Sequence, residues 1–356
     1  MTRLALSTAL VLGLLAGCAE WQGAERTAVE TTVRADRSSE GGGGIGGTGA
    51  PSRATNLADV GDKEGGIGGT GIFGTVTAFG SIIVNGQTVD LSEDVVRSQV
   101  PIAGRDLPLS VGSTVIVEAR AIEDGWTADQ VKLFLPLIGP VSAINPESGT
   151  LSVMGTAISL DDEAVIIDRR NYADGKVIDL GAIALGDRLA VSGIWRGGEV
   201  VASRVDRLDD EGHHALRGLL LETDDGAMVG GTRLTSDCCG NLDTPAYVEL
   251  SGRFRDDRFK IDDLKSGATL LFSQAIKRLI VEAFIARDPD GEGFHLSGFG
   301  IPADQSTTVA TPPGVRALFV GVLDDAFRIE ESAPLPEKAA AREEVLKSLG
   351  DLRRED

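Results

Sequence analysis

The sequence is short of aromatic residues, which make up 4 % of it, and it holds only three cysteines and three histidines. So few rings leave few stacking platforms for bases. Basic side chains are also scarce: 34 Lys plus Arg face 54 Asp plus Glu, for a formal charge of −20. Binding along nucleic acid needs clustered Lys and Arg to neutralise phosphates, so that role is excluded. No G-x-S-x-G or H-E-x-x-H pattern is found, and no nucleophile has a base at a recognisable spacing. The chain is therefore read as non-catalytic and without a cofactor. Glycine, by contrast, is abundant, at 46 of 356 residues, where ~7 % is usual. A hydrophobic content of 42 % is enough to build cores, which excludes global disorder.

The N-terminus carries an address. Arg3 precedes an apolar stretch from Leu4 to Ala16, 13 residues long, too short for a spanning helix of about 20 residues and suited to a signal-peptide core. It ends in Leu15-Ala16-Gly17-Cys18, which resembles the bacterial lipobox. Residues 1–17 are thus expected to be a lipoprotein signal peptide and Cys18 to be acylated, with the several chains that stable anchoring requires. Ala19 follows the cysteine where an inner-membrane retention signal would place Asp, so the expected location is the outer membrane, facing the periplasm. Residues 18–71 read as a flexible glycine-rich tether, in which Glu40-Gly-Gly-Gly-Gly-Ile-Gly-Gly-Thr-Gly49 recurs as Glu64-Gly-Gly-Ile-Gly-Gly-Thr-Gly71. Both copies match G-x-G-x-x-G, as Gly44-Gly46-Gly49 and Gly66-Gly68-Gly71. Neither follows a strand or opens a helix, so no nucleotide is expected there.

Beyond Gly71 a short strand ending in glycine occurs four times, as SIIVNG, TLSVMG, GAMVGG and GFHLSG, closing at Gly86, Gly155, Gly231 and Gly298. Each is preceded by a strand (GTVTAF, GPVSAI, GLLLET, IVEAF) and followed by a longer one (STVIVEA, DRLAVSG, AYVELSG, VRALFVG). A two-residue turn then follows at Asp124-Gly125, Gly197-Gly198, Asp256-Asp257 and Asp324-Asp325, as tight hairpins prefer. The closing strands alternate, with Phe259 and Ile261 against Lys260 and Asp262, and Phe327 and Ile329 against Arg328 and Glu330. Strands this short with one apolar face favour closure. The predicted fold is all-β: four tandem, OB-like five-stranded barrel modules over 72–135, 136–210, 215–266 and 275–333, after the tether. Contacts are expected mostly within modules, as beads on a line. Residues 337–356 read as a short helix with Val345, Leu349 and Leu352 on one face, free to dock on the last module or on a partner.

The run IGGTG, GTVTAFGSIIVNGQTV, VGSTVIVEA and ADQVKL resembles a bacterial domain-of-unknown-function family, number 5666. The resemblance spans roughly residues 64–330 and is strongest in the first half. It implies tandem β-rich modules, often behind a lipoprotein signal and a glycine-rich lead-in, and it implies no catalytic residue.

The adjacent Cys238 and Cys239 are the only thiols left once Cys18 is acylated. They are open to a vicinal disulfide, to free or intermolecular thiols, or to a metal site shared with His213 and His214. Consecutive residues on a strand point to opposite faces, which argues against chelation by either pair. Asp288, Asp290 and Glu292 imitate the start of a calcium loop, but Phe299 stands where the closing Glu is required, so a hairpin turn is expected. His295 is predicted at an exposed strand position, and Asp161-Asp162 as part of an acidic surface. The functional expectation is an envelope lipoprotein that binds or scaffolds a protein or glycan in the periplasm. A metal or redox protein built on Cys238 and Cys239 is the alternative.

Overall fold

The computed structural model describes residues 69–352, apart from 93–94, 99–100, 103–104, 124, 146, 171–174, 210–211, 236–241, 243, 288–292, 305–308 and 310. The signal peptide, Cys18, nearly all of the tether, Cys238, Cys239, Asp288, Asp290 and Glu292 lie outside the described residues. The fold is mostly β, with one short C-terminal helix and two closed five-stranded barrels in two sheets.

The first set of strands runs β1 (Gly69–Ala78), β2 (Ile82–Val84), β3 (Gln87–Asp90), β4 (Val96–Ser98), β5 (Pro101–Ile102), β6 (Arg105–Asp106), β7 (Thr114–Ile122) and β8 (Gly125–Leu133). Five of these close a ring. β1 pairs antiparallel with β2 and β2 with β3; β3 lies parallel to β8, which returns antiparallel to β7 and so to β1. Alternation fills the barrel: Ile82, Val84, Val89, Val115, Val117 and Val131 are buried in one cluster. A register shift between Val76 and Ala78 lets β1 leave β7 and turn to β2.

The second set repeats that order in β9 (Leu137–Asn145), β10 (Thr150–Val153), β11 (Thr156–Asp168), β12 (Lys176–Val177), β13 (Arg188–Arg196) and β14 (Glu199–Leu208). β9 pairs with β10, β10 with β11, β11 parallel with β14, β14 with β13 and β13 with β9. Third come β15 (His214–Thr223), β16 (Gly226–Val229), β17 (Thr232–Arg233), β18 (Ala246–Arg255) and β19 (Arg258–Ser266). Here the parallel contact is a single bridge between Leu234 and Phe259. Last come β20 (Ile276–Arg287), β21 (Phe294–Leu296), β22 (Arg316–Leu323) and β23 (Phe327–Pro334), with one parallel bridge from Ala303 to Phe327, and then helix α1 (Ala339–Leu352).

Contacts lie mostly within the strand sets, as expected, but the sets are not beads on a line. β1 lies parallel to β20, with Ile72 opposite Ile280, and β9 pairs with β15, with Leu137 opposite Leu216. The first strand of each set outruns its own barrel. Its N-terminal half has one edge on the fourth strand of the ring and leaves the other edge open, and the first strand of another set covers it. The tether is corrected too. Gly69-Thr70-Gly71, the end of the second glycine-rich phrase, already belongs to β1. A Cβ on Gly71 would come within 2.5 Å of the Phe272 ring, so this glycine permits close packing against the strand.

Helix α1 docks on the first barrel and also reaches the last set of strands, where Arg342 lies 3.7 Å from Glu282 of β20. Leu346 is buried, and Val345 and Leu349 pack against the first barrel's cluster. The Asn85-Gly86 turn between β2 and β3, with φ of 54° and 73°, lies directly under the Leu346 carbonyl, where any Cβ on residue 86 would collide. Asp162 accepts a hydrogen bond from the Ala339 N–H at 2.9 Å, and this contact holds its carboxyl below the ordinary range, as a helix N-terminus does.

Candidate functional site

Asp161 is not part of an acidic surface. The register of β11 against β14 shifts between Leu160 and Val165, and this bulge carries Asp161 inward, leaving its side chain 7 % exposed. There Asp161 meets Arg316 at 2.9 Å and also Arg342 of α1. Arg316 Nε donates to Glu282 Oε1 at 2.7 Å, and Arg342 Nε lies 3.7 Å from the same oxygen. Two carboxylates and two guanidinium groups thus balance in a buried junction between β11, β20, β22 and α1. A second buried set lies in the second barrel, where Asp206 accepts from Arg169 at 2.5 Å and Arg204 at 2.8 Å. Asp187 accepts from Arg207 at 2.7 Å. Asp168 is held below its usual carboxylate range, first by its hydrogen bonds from Arg170. The first set ties α1 to three strands, and the second joins neighbouring strands of its barrel.

The predicted histidines do not converge. His213 is exposed, with Nδ1 3.7 Å from an Asp262 oxygen. His214 Nδ1 accepts the Phe254 N–H at 2.8 Å, which fixes the neutral ring. Burial, and then the charges of Arg188 and Arg253, push its pKa down from 6.5 to about 4. His295 is half-buried on β21, opposite Ala286 on β20, rather than exposed. Among the described residues, no group of three or more His, Cys, Asp or Glu is placed to hold a metal.

The His214 shift has a measurable sign. The unfolded chain binds this proton near pH 6.5 and the folded chain only near pH 4. Its stabilising contribution is full above about 6.5 and is lost as pH falls toward about 4. Urea melts across that window should show a steeper fall for the wild type than for His214→Gln. Parallel profiles would remove His214 as a source of the acid sensitivity.

One feature went unread in the sequence. Around the Asp256-Asp257 turn, whose φ values are 50° and 56°, β18 and β19 place Arg253 opposite Lys260 and Arg255 opposite Arg258. All four side chains are exposed on one face, while Phe259 on the other face is fully buried. They line an open concavity of about 580 Å³ together with Thr235, with Asp256 and Asp262 also lining it. The signal was present in Arg-Phe-Arg-Asp-Asp-Arg-Phe-Lys: alternation across a two-residue turn puts every cation on one side.

These closed five-stranded rings define the chain as an all-β, barrel-built protein. A family model described as a domain of unknown function (DUF5666) matches residues 73–132 and 138–206, and these two tandem segments fall on the first and second barrels. No curated protein and no solved structure matches the chain. No helix among the described residues is long and apolar enough to cross a membrane.

Proposed function

We propose that the chain is an envelope lipoprotein, anchored through Cys18 in the outer membrane and facing the periplasm. Four OB-like modules would present surfaces to a protein or glycan without catalysing a reaction. The module reading is supported by the ring order of first, second, third, fifth and fourth strand, with third and fifth parallel, in the first two barrels. It is supported also by the same order in the third set, where one bridge from Leu234 to Phe259 replaces the parallel ladder, and by the β20–β21, β20–β22 and β22–β23 pairings of the fourth, with its bridge from Ala303 to Phe327. OB-type barrels take oligosaccharides or oligonucleotides on their second and third strands and on the loops after the first and fourth. The net charge of −20 favours the former. This transfer is an analogy of fold.

The observation that carries the binding role lies in the first barrel. Phe79, in the loop after β1, is 52 % exposed, and Ile122, at the end of β7, is 43 % exposed. An aromatic ring held open in such a loop suits the apolar face of a sugar or a partner side chain. A photo-crosslinking residue at position 79, compared with one at the still more accessible Val177 on β12, 67 % exposed, tests this in intact cells. A discrete adduct at 79 alone is expected; equal labelling at both, or none at 79, would count against the role. Cys18→Ala should move the protein from the membrane to the soluble periplasmic fraction.

A further inference from the structure

The four closing hairpins differ in one respect. On β7–β8 Arg120 pairs with Asp129 at 2.7 Å and on β13–β14 Arg196 pairs with Glu199 at 2.5 Å, each across the hairpin, while Arg328 pairs with Glu330 along β23 at 3.2 Å. On β18–β19 the cations face each other instead, Arg253 against Lys260 and Arg255 against Arg258. Among the described residues, none of these four is in an ion pair; Arg258 donates only to the Leu234 carbonyl, at 3.2 Å. Like charges directly opposite on a ladder are destabilising. The arrangement is therefore costly in the free protein, and it stands out in a chain of net charge −20.

From this geometry we infer that the β18–β19 ribbon is a binding site for a ligand carrying two phosphoryl groups. Cross-strand neighbours lie about 5 Å apart at Cβ and next-but-one neighbours about 7 Å along a strand. The four cations thus form two pairs, each able to face one phosphoryl group. A phosphate ester carries about −1.5 to −2 charge near neutral pH, so two of them match four cations. Three of the four are arginines, whose planar forks grip phosphate oxygens in bidentate fashion. Phe259 fixes the opposite face of the ribbon in the core, so the cations are presented on a rigid ladder. At an ionic strength of about 0.15 M the screening length is ~8 Å, so carboxylates beyond the concavity are largely hidden from a ligand on this face; Asp256 and Asp262, which line it, leave the four cations in excess. The site is separate from the loops around Phe79 and does not depend on them.

The test uses the full-length chain with inorganic tripolyphosphate as probe, by calorimetry near physiological ionic strength. Binding is expected, and it should be about tenfold weaker or worse in Arg253→Gln/Lys260→Gln and in Arg255→Gln/Arg258→Gln, because each variant removes two charge-assisted contacts. Arg120→Gln, on another closing hairpin, should bind as the wild type does. A second arm distinguishes the source of the phosphates: co-sedimentation with phosphatidylcholine vesicles containing cardiolipin, against phosphatidylcholine alone. Binding in both arms assigns a lipid headgroup, and binding of tripolyphosphate alone assigns a soluble ligand. Absence of binding in both arms, or binding unchanged in both double variants, overturns the site. Neither result touches the crosslinking outcome at position 79, so the two proposals fail separately.

Discussion

Trp195→Ala is expected to cost about 3–5 kcal/mol of unfolding free energy, among the largest effects of any single substitution in this chain. The indole is 3 % exposed, and its Nε1–H donates to the Arg217 carbonyl at 3.0 Å. Three glycines from other strand sets lie against the ring: Gly218 on β15, Gly230 in the turn after β16, and Gly298 in the turn after β21. A Cβ on Gly218 would already sit 3.0 Å from the ring, and one on Gly230 2.5 Å. The truncation would therefore open a cavity shared by three strand sets, where no one of them can collapse to fill it. Denaturant melts measure the loss, and a change under about 1 kcal/mol would show that the cradle carries little of the stability. Filling the cradle should hurt as well. Gly298 has φ of 67° and faces the indole directly, so Gly298→Ala combines left-handed strain with overpacking, for about 2–4 kcal/mol.

Glu282→Gln should be comparably damaging. Glu282 is 1 % exposed and neutralises Arg316, itself 5 % exposed, at 2.7 Å. Removing that charge leaves two buried guanidinium groups sharing the single carboxylate of Asp161. Breaking one partner of such a buried set costs about 3–5 kcal/mol, mostly from the charge left without compensation. The mechanism is separable from simple loss of packing, because Gln is nearly the same size. Pairing Glu282→Gln with Arg316→Met restores local neutrality, so the double variant should be less destabilised than the sum of the singles. Simple additivity in that cycle would mean the junction contributes shape and no electrostatic coupling.

Legibility in the sequence followed locality. The repeated strand-and-glycine phrase, the two-residue turns and the apolar alternation are all near-neighbour signals, and they gave the β content correctly, with the turns at Gly197-Gly198 and Asp256-Asp257. Alternation tells which face of a strand is buried and says nothing of which edge finds which partner, so the pairing of β1 with β20 was not readable. Asp161 sits beside Asp162 and Glu163 in a stretch that looks solvated. Its burial depends on the β11 bulge and on Glu282, Arg316 and Arg342, more than a hundred residues away in the sequence. The glycine-rich phrase was read for its conformational freedom, whereas at Gly71 the missing side chain serves close approach. The cationic ribbon was readable from eight consecutive residues once the Asp256-Asp257 turn was placed. The roles expected of Cys18, Cys238 and Cys239 rest on the sequence alone.

The parallel contact between β1 and β20 also sets an order of events during synthesis. The first barrel can close once Leu133 is made, because all five strands of its ring are then present. The outer edge of Gly69–Phe73, however, has no partner until Ile276–Val281 follows. From Leu133 to Ile276 about 140 residues must still be made, or ~7–30 s of chain elongation at ~5–20 residues per second. Throughout that interval a folded barrel displays an unpaired strand edge, the feature most apt to recruit a neighbouring chain. Glycines at positions 69 and 71 remove two of the five side chains from that edge and weaken the intrinsic strand preference of its first half. The composition that lets β20 and Phe272 dock at the end is thus also the one that makes the waiting edge a poor template for the wrong partner.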